Sequence, residues 1–334
     1  MAANPDKLTK IKEYGQSGAL FSVDRFADTE RLVVGTSEAK VMEVDISVDK
    51  PEPKPLTEHT SYVTGAVLAG GCVISGGYDC RMLWWDLEKQ SQKHAVENAH
   101  GRWIRRVAAT PDRALVASIA DDMVCRLWDA ASGKQVHELR GHQEQTPNHY
   151  PSMLYALTIS PDGKYLATGD KVGHIVIWEV GTGKQLATIE APEHYTWDPS
   201  QRRHSIGGVR SLAFSADSKL LAVGGMGKVG NIDHLGGKSL VHLFDWQAGK
   251  RLHEIQSDKF NGLVEQLYFS PDGKWLLGAG GDHKGFLWFI DPVKGQTIRQ
   301  DAAPMHVHDF VLDESGETIY TVGHGKIARW EMKG

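Results

Sequence analysis

Apolar residues in this chain fall in short runs, and no long stretch carries the three-to-four spacing of an amphipathic helix. The runs are grouped, and most groups close on a large apolar residue followed by an acid. These closing positions are Val44-Asp45, Trp85-Asp86, Trp128-Asp129, Trp178-Glu179, Phe244-Asp245, Trp288 and Trp330-Glu331, separated by 41, 43, 50, 66, 44 and 42 residues. Self-similarity at that period is the mark of a repeat architecture in which each unit is one small sheet.

The third unit shows the pattern most clearly. Ile104–Ala109, Leu115–Ser118, Val124–Trp128 and Gln135–Leu139 read as four strands, with Thr110-Pro111-Asp112 turning the first into the second. The fourth unit repeats the order as Tyr155–Ser160, Tyr165–Thr168, Ile175–Glu179 and Gln185–Ile189. Its turn, Ser160-Pro161-Asp162-Gly163-Lys164, returns as Ser270-Pro271-Asp272-Gly273-Lys274 and loosely as Ser215-Ala216-Asp217-Ser218-Lys219. The first unit runs through Phe21–Phe26, Leu32–Val34 and Lys40–Val44, and the last offers three strands only, ending at Trp330. Leu8–Glu13 is placed to supply the missing outer strand, so deletion of residues 1–13 is expected to harm folding.

Composition agrees with this reading. Seven units of about 45 residues account for nearly all of the 334, and 36 glycines suit a chain rich in tight turns. The formal charge of −5 is not concentrated in any basic block, so there is no specific nucleic-acid signal. No apolar run approaches the roughly 20 residues of a membrane-crossing helix, and there is no membrane signal. Cys72, Cys80 and Cys125 cannot all pair internally, and Cys72 and Cys125, in or near strand patterns, read as reduced small hydrophobes. With a polar segment from Met1 through Lys12, this gives an expected cytoplasmic location.

Taken together, the four strand positions, two turn classes and terminal aromatic-acid pair resemble the WD40-repeat family of β-propellers, over essentially the whole chain. The resemblance implies an all-β, seven-bladed β-propeller of four-stranded antiparallel sheets, a single domain over residues 1–334, with the N-terminal strand completing the last blade. It also implies structural hydrogen-bond tetrads at His59, Ser75, Asp79 and Trp85 and at His100, Ser118, Asp122 and Trp128. In the fourth unit His142, Thr168 and Trp178 are kept, but Val172 stands six residues before the tryptophan, so the set is incomplete or reorganised around Asp170. A Ser-His-Asp catalytic reading of these sets needs an exposed, activated serine and an oxyanion pocket, and nothing indicates either.

The departures from the repeat carry the functional information. Three insertions, approximately 142–153, 191–208 and 224–238, are expected on one face near blades four and five. They hold His149, Tyr150, Tyr195, Trp197, Arg202, Arg203, His204, Lys228 and His234, a mixture of broad aromatic area and directed donors suited to a protein or peptide partner. The expected function is noncovalent scaffolding through this face. The alternative is a small-molecule-binding or metal-dependent enzyme with a site in the central depression, so a small-molecule ligand stays open. Gly224–Gly230 lacks the spacing and the Ser/Thr of a phosphate loop. His194, His204, His234, Asp233, His306 and His308 carry ligand atoms, but no HExxH or paired-cysteine spacing accompanies them. No catalytic residue, metal ligand or cofactor is assigned on sequence grounds.

Overall fold

A computed structural model of the protein describes residues 3–201 and 204–333. The chain divides into two units, one of Met1–Asp122, Arg126–Glu138 and Val307–Gly334, the other of Met123–Cys125 and Leu139–His306. Both are built from antiparallel sheets, and the architecture is that of an all-β propeller of four-stranded sheets.

In the first unit the strands Val63–Ala69, Cys72–Gly77, Met82–Asp86 and Ser91–Val96 make one four-stranded meander. Ile104–Ala109, Leu115–Ala120, Val124–Asp129 and Gln135–Arg140 make the next, within two residues of the expected bounds. In the second unit Leu154–Ile159, Tyr165–Asp170, His174–Glu179 and Gln185–Glu190 form a third such sheet. Ser211–Phe214, Leu220–Met226, Lys238–Asp245 and Lys250–Asn261 form a fourth, and Leu263–Phe269, Leu276–Gly281, Gly285–Asp291 and Gln296–Ala303 a fifth. Second strands such as Cys72–Gly77 and Leu276–Gly281 are buried at every position, which explains their continuous apolar runs. Outer strands such as Gln185–Glu190 bury one side chain, Ile189, and read as mostly polar.

The count of seven blades is corrected to six among the described residues, five sheets of four strands and one of six, beside a two-stranded pair of Tyr195–Trp197 with Ser205–Gly207. The sixth has six strands, ordered Val307–Leu312, Thr318–Glu331, Thr9–Arg25, Arg31–Thr36, Val41–Asp45 and Lys54–Leu56. Its cause is the 17-residue strand Thr9–Arg25, which runs on where two separate strands were expected. Residues 9–19 pair with Thr318–Glu331, from Thr9 opposite Glu331 to Ala19 opposite His324. From Leu20 onward the same strand pairs with Arg31–Thr36. Register shifts at Gly15/Ala19 and Leu20/Ser22 mark the change of partner, and Gln16, Ser17 and Gly18, within the first of them, have no partner in either ladder.

The repeated turns owe their form to their sequence. Ser160 Oγ donates to Asp162 (2.6 Å) and accepts from the Tyr165 N–H (2.9 Å), while Asp162 also accepts from the Lys164 N–H (3.1 Å). Gly163 then takes the left-handed conformation, φ 72°, that closes the turn. Among the described residues no helix is long and apolar enough to cross a membrane.

Candidate functional site

Three polar networks orient the ends of the blades. In the second sheet of the chain the Trp85 Nε1–H donates to Ser75 Oγ (2.7 Å), and His59 lies 2.7 Å from Ser75 Oγ through Nε2 and 2.8 Å from Asp79 through Nδ1. The consistent proton assignment has serine donating to Nε2 and Nδ1–H donating to the carboxylate. Trp128, Ser118, His100 and Asp122 repeat the arrangement at 2.9, 2.7 and 3.1 Å. Burial is the largest single influence and works against both carboxylates, but the hydrogen bonds and charge of His59 and His100, together with the Thr60, Arg81 and Gly101 N–H groups and the Arg126 guanidinium, outweigh it and hold Asp79 and Asp122 below the ordinary carboxylate range. Burial also pushes His100 down, against the pull of Asp122, and the Arg126 guanidinium at 2.7 Å from Nδ1 adds to that effect.

The fourth repeat keeps the network by moving its acid. Trp178 Nε1–H donates to Thr168 Oγ1 (3.2 Å), and His142 joins Thr168 (2.8 Å) to Asp170 (3.0 Å). Asp170 also accepts from the Val172 and His174 N–H groups, each at 3.0 Å. With both serine- or threonine-type hydroxyls and histidines engaged inside the fold, these sets are built to hold loops in place.

The insertions meet one another in the second unit. Tyr150, from the first, packs on Trp197 and His204 of the second, at ring separations of 5.1 and 5.0 Å. Trp197 and His204 are themselves 6.0 Å apart, on the two arms of a small hairpin pairing Tyr195–Trp197 with Ser205–Gly207. The third insertion is tied to the second through Val229 N–H to Thr196 Oγ1 (3.1 Å), Ile232 N–H to Gln201 Oε1 (2.9 Å) and Gln201 Nε2–H to the Gly230 carbonyl (3.1 Å). That third insertion is shorter than expected, since strands extend to Met226 and begin again at Lys238. Tyr150 stays 39% exposed, Trp197 and His204 are half-buried, and His149, Lys228 and His234 are exposed. Tyr195 is half-buried with its hydroxyl inward. Arg202 and Arg203 lie outside the described residues. A polar cleft of about 780 Å³ lies under the first insertion, lined by Gly141–Pro147, Asp170, His174 and Glu190 among others.

Sequence reasoning missed an aromatic row in the first unit. Phe21, Tyr62, Tyr78 and Trp103 follow one another at 5.7, 5.5 and 4.5 Å, and the last pair stacks face to face. Tyr62 and Trp103 are 45% and 50% exposed, and Arg105 covers the Tyr78 and Trp103 rings while its guanidinium pairs with Asp121 at 2.7 Å. A signal was present: Tyr62 and Trp103 each stand three residues after a tetrad histidine, His59 and His100.

Residues 91–129, 133–179, 199–229 and 249–288 match the family model described as WD domain, G-beta repeat. Two of these segments end at the aromatic-acid pairs Trp128-Asp129 and Trp178-Glu179. Telomerase protein component 1 of Mus musculus is similar at 26% identity over 78% of this chain and 8% of its own length. Eukaryotic translation initiation factor 3 subunit I of Scheffersomyces stipitis is 30% identical over 66% of this chain and 56% of its own length. WD repeat-containing protein VIP3 of Arabidopsis thaliana is 26% identical over 55% of this chain and 51% of its own length. The chain therefore spans about half the length of two of these relatives and a small part of the third. With the indole-hydroxyl-imidazole-carboxylate networks repeated blade after blade and four repeats matched, the chain belongs to the WD40-repeat family of β-propellers.

Proposed function

We propose that this protein is a noncovalent binding platform for a protein or peptide partner, seated on the interlocked insertions of the second unit. The observation that carries this reading is the Tyr150–Trp197–His204 cluster, in which two insertions far apart in sequence present one aromatic surface. Aromatic side chains supply contact area with few rotors to freeze, and here the backbone is already held: Trp197 pairs with Ser205, the Tyr150 carbonyl accepts from the Thr146 N–H at 2.8 Å and the His204 carbonyl from the Asp198 N–H at 2.8 Å. His149 and the exposed Lys228 and His234 supply the polar rim. Resemblance to other WD-repeat proteins supports scaffolding and does not name the partner. A cytoplasmic setting fits the three free cysteines.

The test is native mass spectrometry of protein isolated gently from its source, comparing wild type with a Tyr150→Ala/Trp197→Ala double variant. The expected result is a stoichiometric partner on the wild type and its loss from a double variant whose melting temperature stays within a few degrees, about 1 kcal/mol or less at this size. Full retention of the partner by the double variant overturns the placement. A parallel Tyr62→Ala/Trp103→Ala variant reads whether the aromatic row of the first unit is the face in use.

A further inference from the structure

Beneath the second insertion, the sheet of the second unit that contains Lys238–Asp245 has lost the chemistry of the tetrads. Register places Val223 opposite His242, as Thr168 stands opposite Val176 and Ser75 opposite Leu83 in intact sheets. The hydroxyl position is thus valine, and two residues beyond His242 the indole position is Phe244. Imidazoles nevertheless remain. His194 is 1% exposed and His242 0%, their rings are 4.7 Å apart, both nitrogens of His194 and Nδ1 of His242 lack a hydrogen-bond partner, and His242 Nε2 has only a long contact to Glu254.

Orphaned nitrogens on two adjacent, fully buried histidines are a rare arrangement, since burial of an unpaired polar group costs on the order of 1–3 kcal/mol. Carboxylates adjoin them. Glu254 Oε2 is 3.4 Å from His242 Nε2, and Glu193, the neighbour of His194, has its Oε2 buried without a partner. Among the described residues the cation facing the group is Arg251, which pairs with Glu193 at 2.8 Å and Glu254 at 3.2 Å. Burial above all, with the charge of Arg251 and, at His194, of His242, lowers both imidazoles below their ordinary pKa and so favours the form whose lone pair binds metals.

We propose that His194 and His242 bind a divalent cation of the zinc class, with Glu254 as a third donor and water completing the set. Two imidazoles on one tetrahedral ion, with Zn–N near 2 Å, hold their ring centres about 5 Å apart, close to the separation seen here. Glu254 stands 3.4 Å from His242 Nε2 but is paired with Arg251, and the three donors are not yet gathered around one point, so binding requires its half-exposed side chain to leave Arg251 and turn inward. The ion replaces the missing hydroxyl and indole, pinning the short turn Pro192–His194, and with it the insertion that follows, to the strands Lys238–Asp245 and Lys250–Asn261. Two buried nitrogens and a carboxylate suit zinc better than calcium or magnesium, which favour all-oxygen sets.

The experiment strips the full chain with a chelator, titrates it with Zn²⁺ alone, and reads stoichiometry by native mass spectrometry and the visible absorption of a Co²⁺-loaded sample. One equivalent of metal and the strong d–d bands of a tetrahedral site are expected. His242→Phe should abolish both, Glu254→Gln should weaken affinity about tenfold or more, and Arg251→Gln should tighten it by removing the competing cation. Absence of zinc binding overturns the proposal, as does binding unchanged in His242→Phe. If His242→Phe does not fold, opposite shifts in Glu254→Gln and Arg251→Gln, both on half-exposed side chains, carry the test, and no shift in either overturns it. The metal readout is independent of whether the insertions bind a partner.

Discussion

Ser218 holds a left-handed backbone, φ 58°, at the turn position that glycine fills in the sibling turns at Gly163 and Gly273. Its carbonyl still accepts the Trp246 indole N–H at 2.8 Å, but its own hydroxyl is buried without a partner. Ser218→Gly removes the conformational penalty and the stranded hydroxyl together, against a modest gain in unfolded-chain entropy. A stabilisation of about 0.5–1 kcal/mol is expected, read as a raised urea midpoint at unchanged slope. The opposite outcome is expected at Ser118, whose hydroxyl receives from Trp128 and gives to His100. Ser118→Ala strands an indole N–H and an imidazole nitrogen in the core, at a cost of about 2–4 kcal/mol by the same measurement. A Ser118→Ala protein as stable as wild type would mean that the tetrad is packing alone.

The strand Thr9–Arg25 is the element on which the first unit depends most. Its first half covers the strand ending at Trp330 and Glu331, and Tyr14 reaches across to donate to the Ile46 carbonyl at 2.7 Å. Removing residues 1–13 uncovers a long hydrogen-bonding edge beside Trp330, so the truncated protein is expected to melt at least several degrees lower and to aggregate, as followed by light scattering during a thermal ramp. Much of this element was legible: polar Leu8–Glu13 was expected to serve as an outer strand because the last repeat stops after three. What periodicity could not show is that the strand continues unbroken into the first repeat, because a bend at Gly15–Ala19 leaves no apolar mark in the sequence. The tetrads were legible for a different reason, since they need particular donors at fixed distances from a tryptophan. Asp170 stood out because no acid occupied the usual slot. The insertions announced themselves by length, but the Tyr150–Trp197–His204 contact spans more than fifty residues and has no local signature. His242 was invisible to any spacing argument, because the matching position varies, being Val176 and Leu83 in two other sheets and Arg126 in a third.

Over the molecule as a whole, buried ionisable groups in the first unit pull stability in opposite directions as pH falls. His100 has a pKa below its ordinary 6.5 because it is buried, so the unfolded chain takes up its proton first and stability declines below about pH 6.5. Asp309 runs the other way. Burial raises it to about 6, although it accepts hydrogen bonds from the Val23 and Phe310 N–H groups at 3.0 and 2.9 Å. A raised carboxylate is protonated first in the folded state, so it contributes stability below its unfolded value near 4 and loses it as pH rises through about 6. Between pH 6.5 and 4 the two trends oppose each other within the first unit, while His194 and His242 of the second unit, also depressed by burial, add to the decline, so Asp309 blunts a net fall. Below about pH 4 Asp309 is protonated in both states, and the depressed Asp79 and Asp122 take over. Their stabilisation is complete above the unfolded carboxylate pKa and is lost as pH falls toward their folded values, so the curve should turn steeply downward there. Urea unfolding at half-unit steps from pH 8 to 3 reads these slopes directly, whatever a substitution does to absolute stability. Asp309→Asn should remove the compensating rise and leave a monotonic decline from pH 6.5. Asp122→Asn should flatten the fall below pH 4. A wild-type profile that declines steeply between pH 6.5 and 5, unchanged by Asp309→Asn, would show that the Asp309 carboxylate is ionised inside the fold and that Arg106, which favours its charged form, outweighs burial.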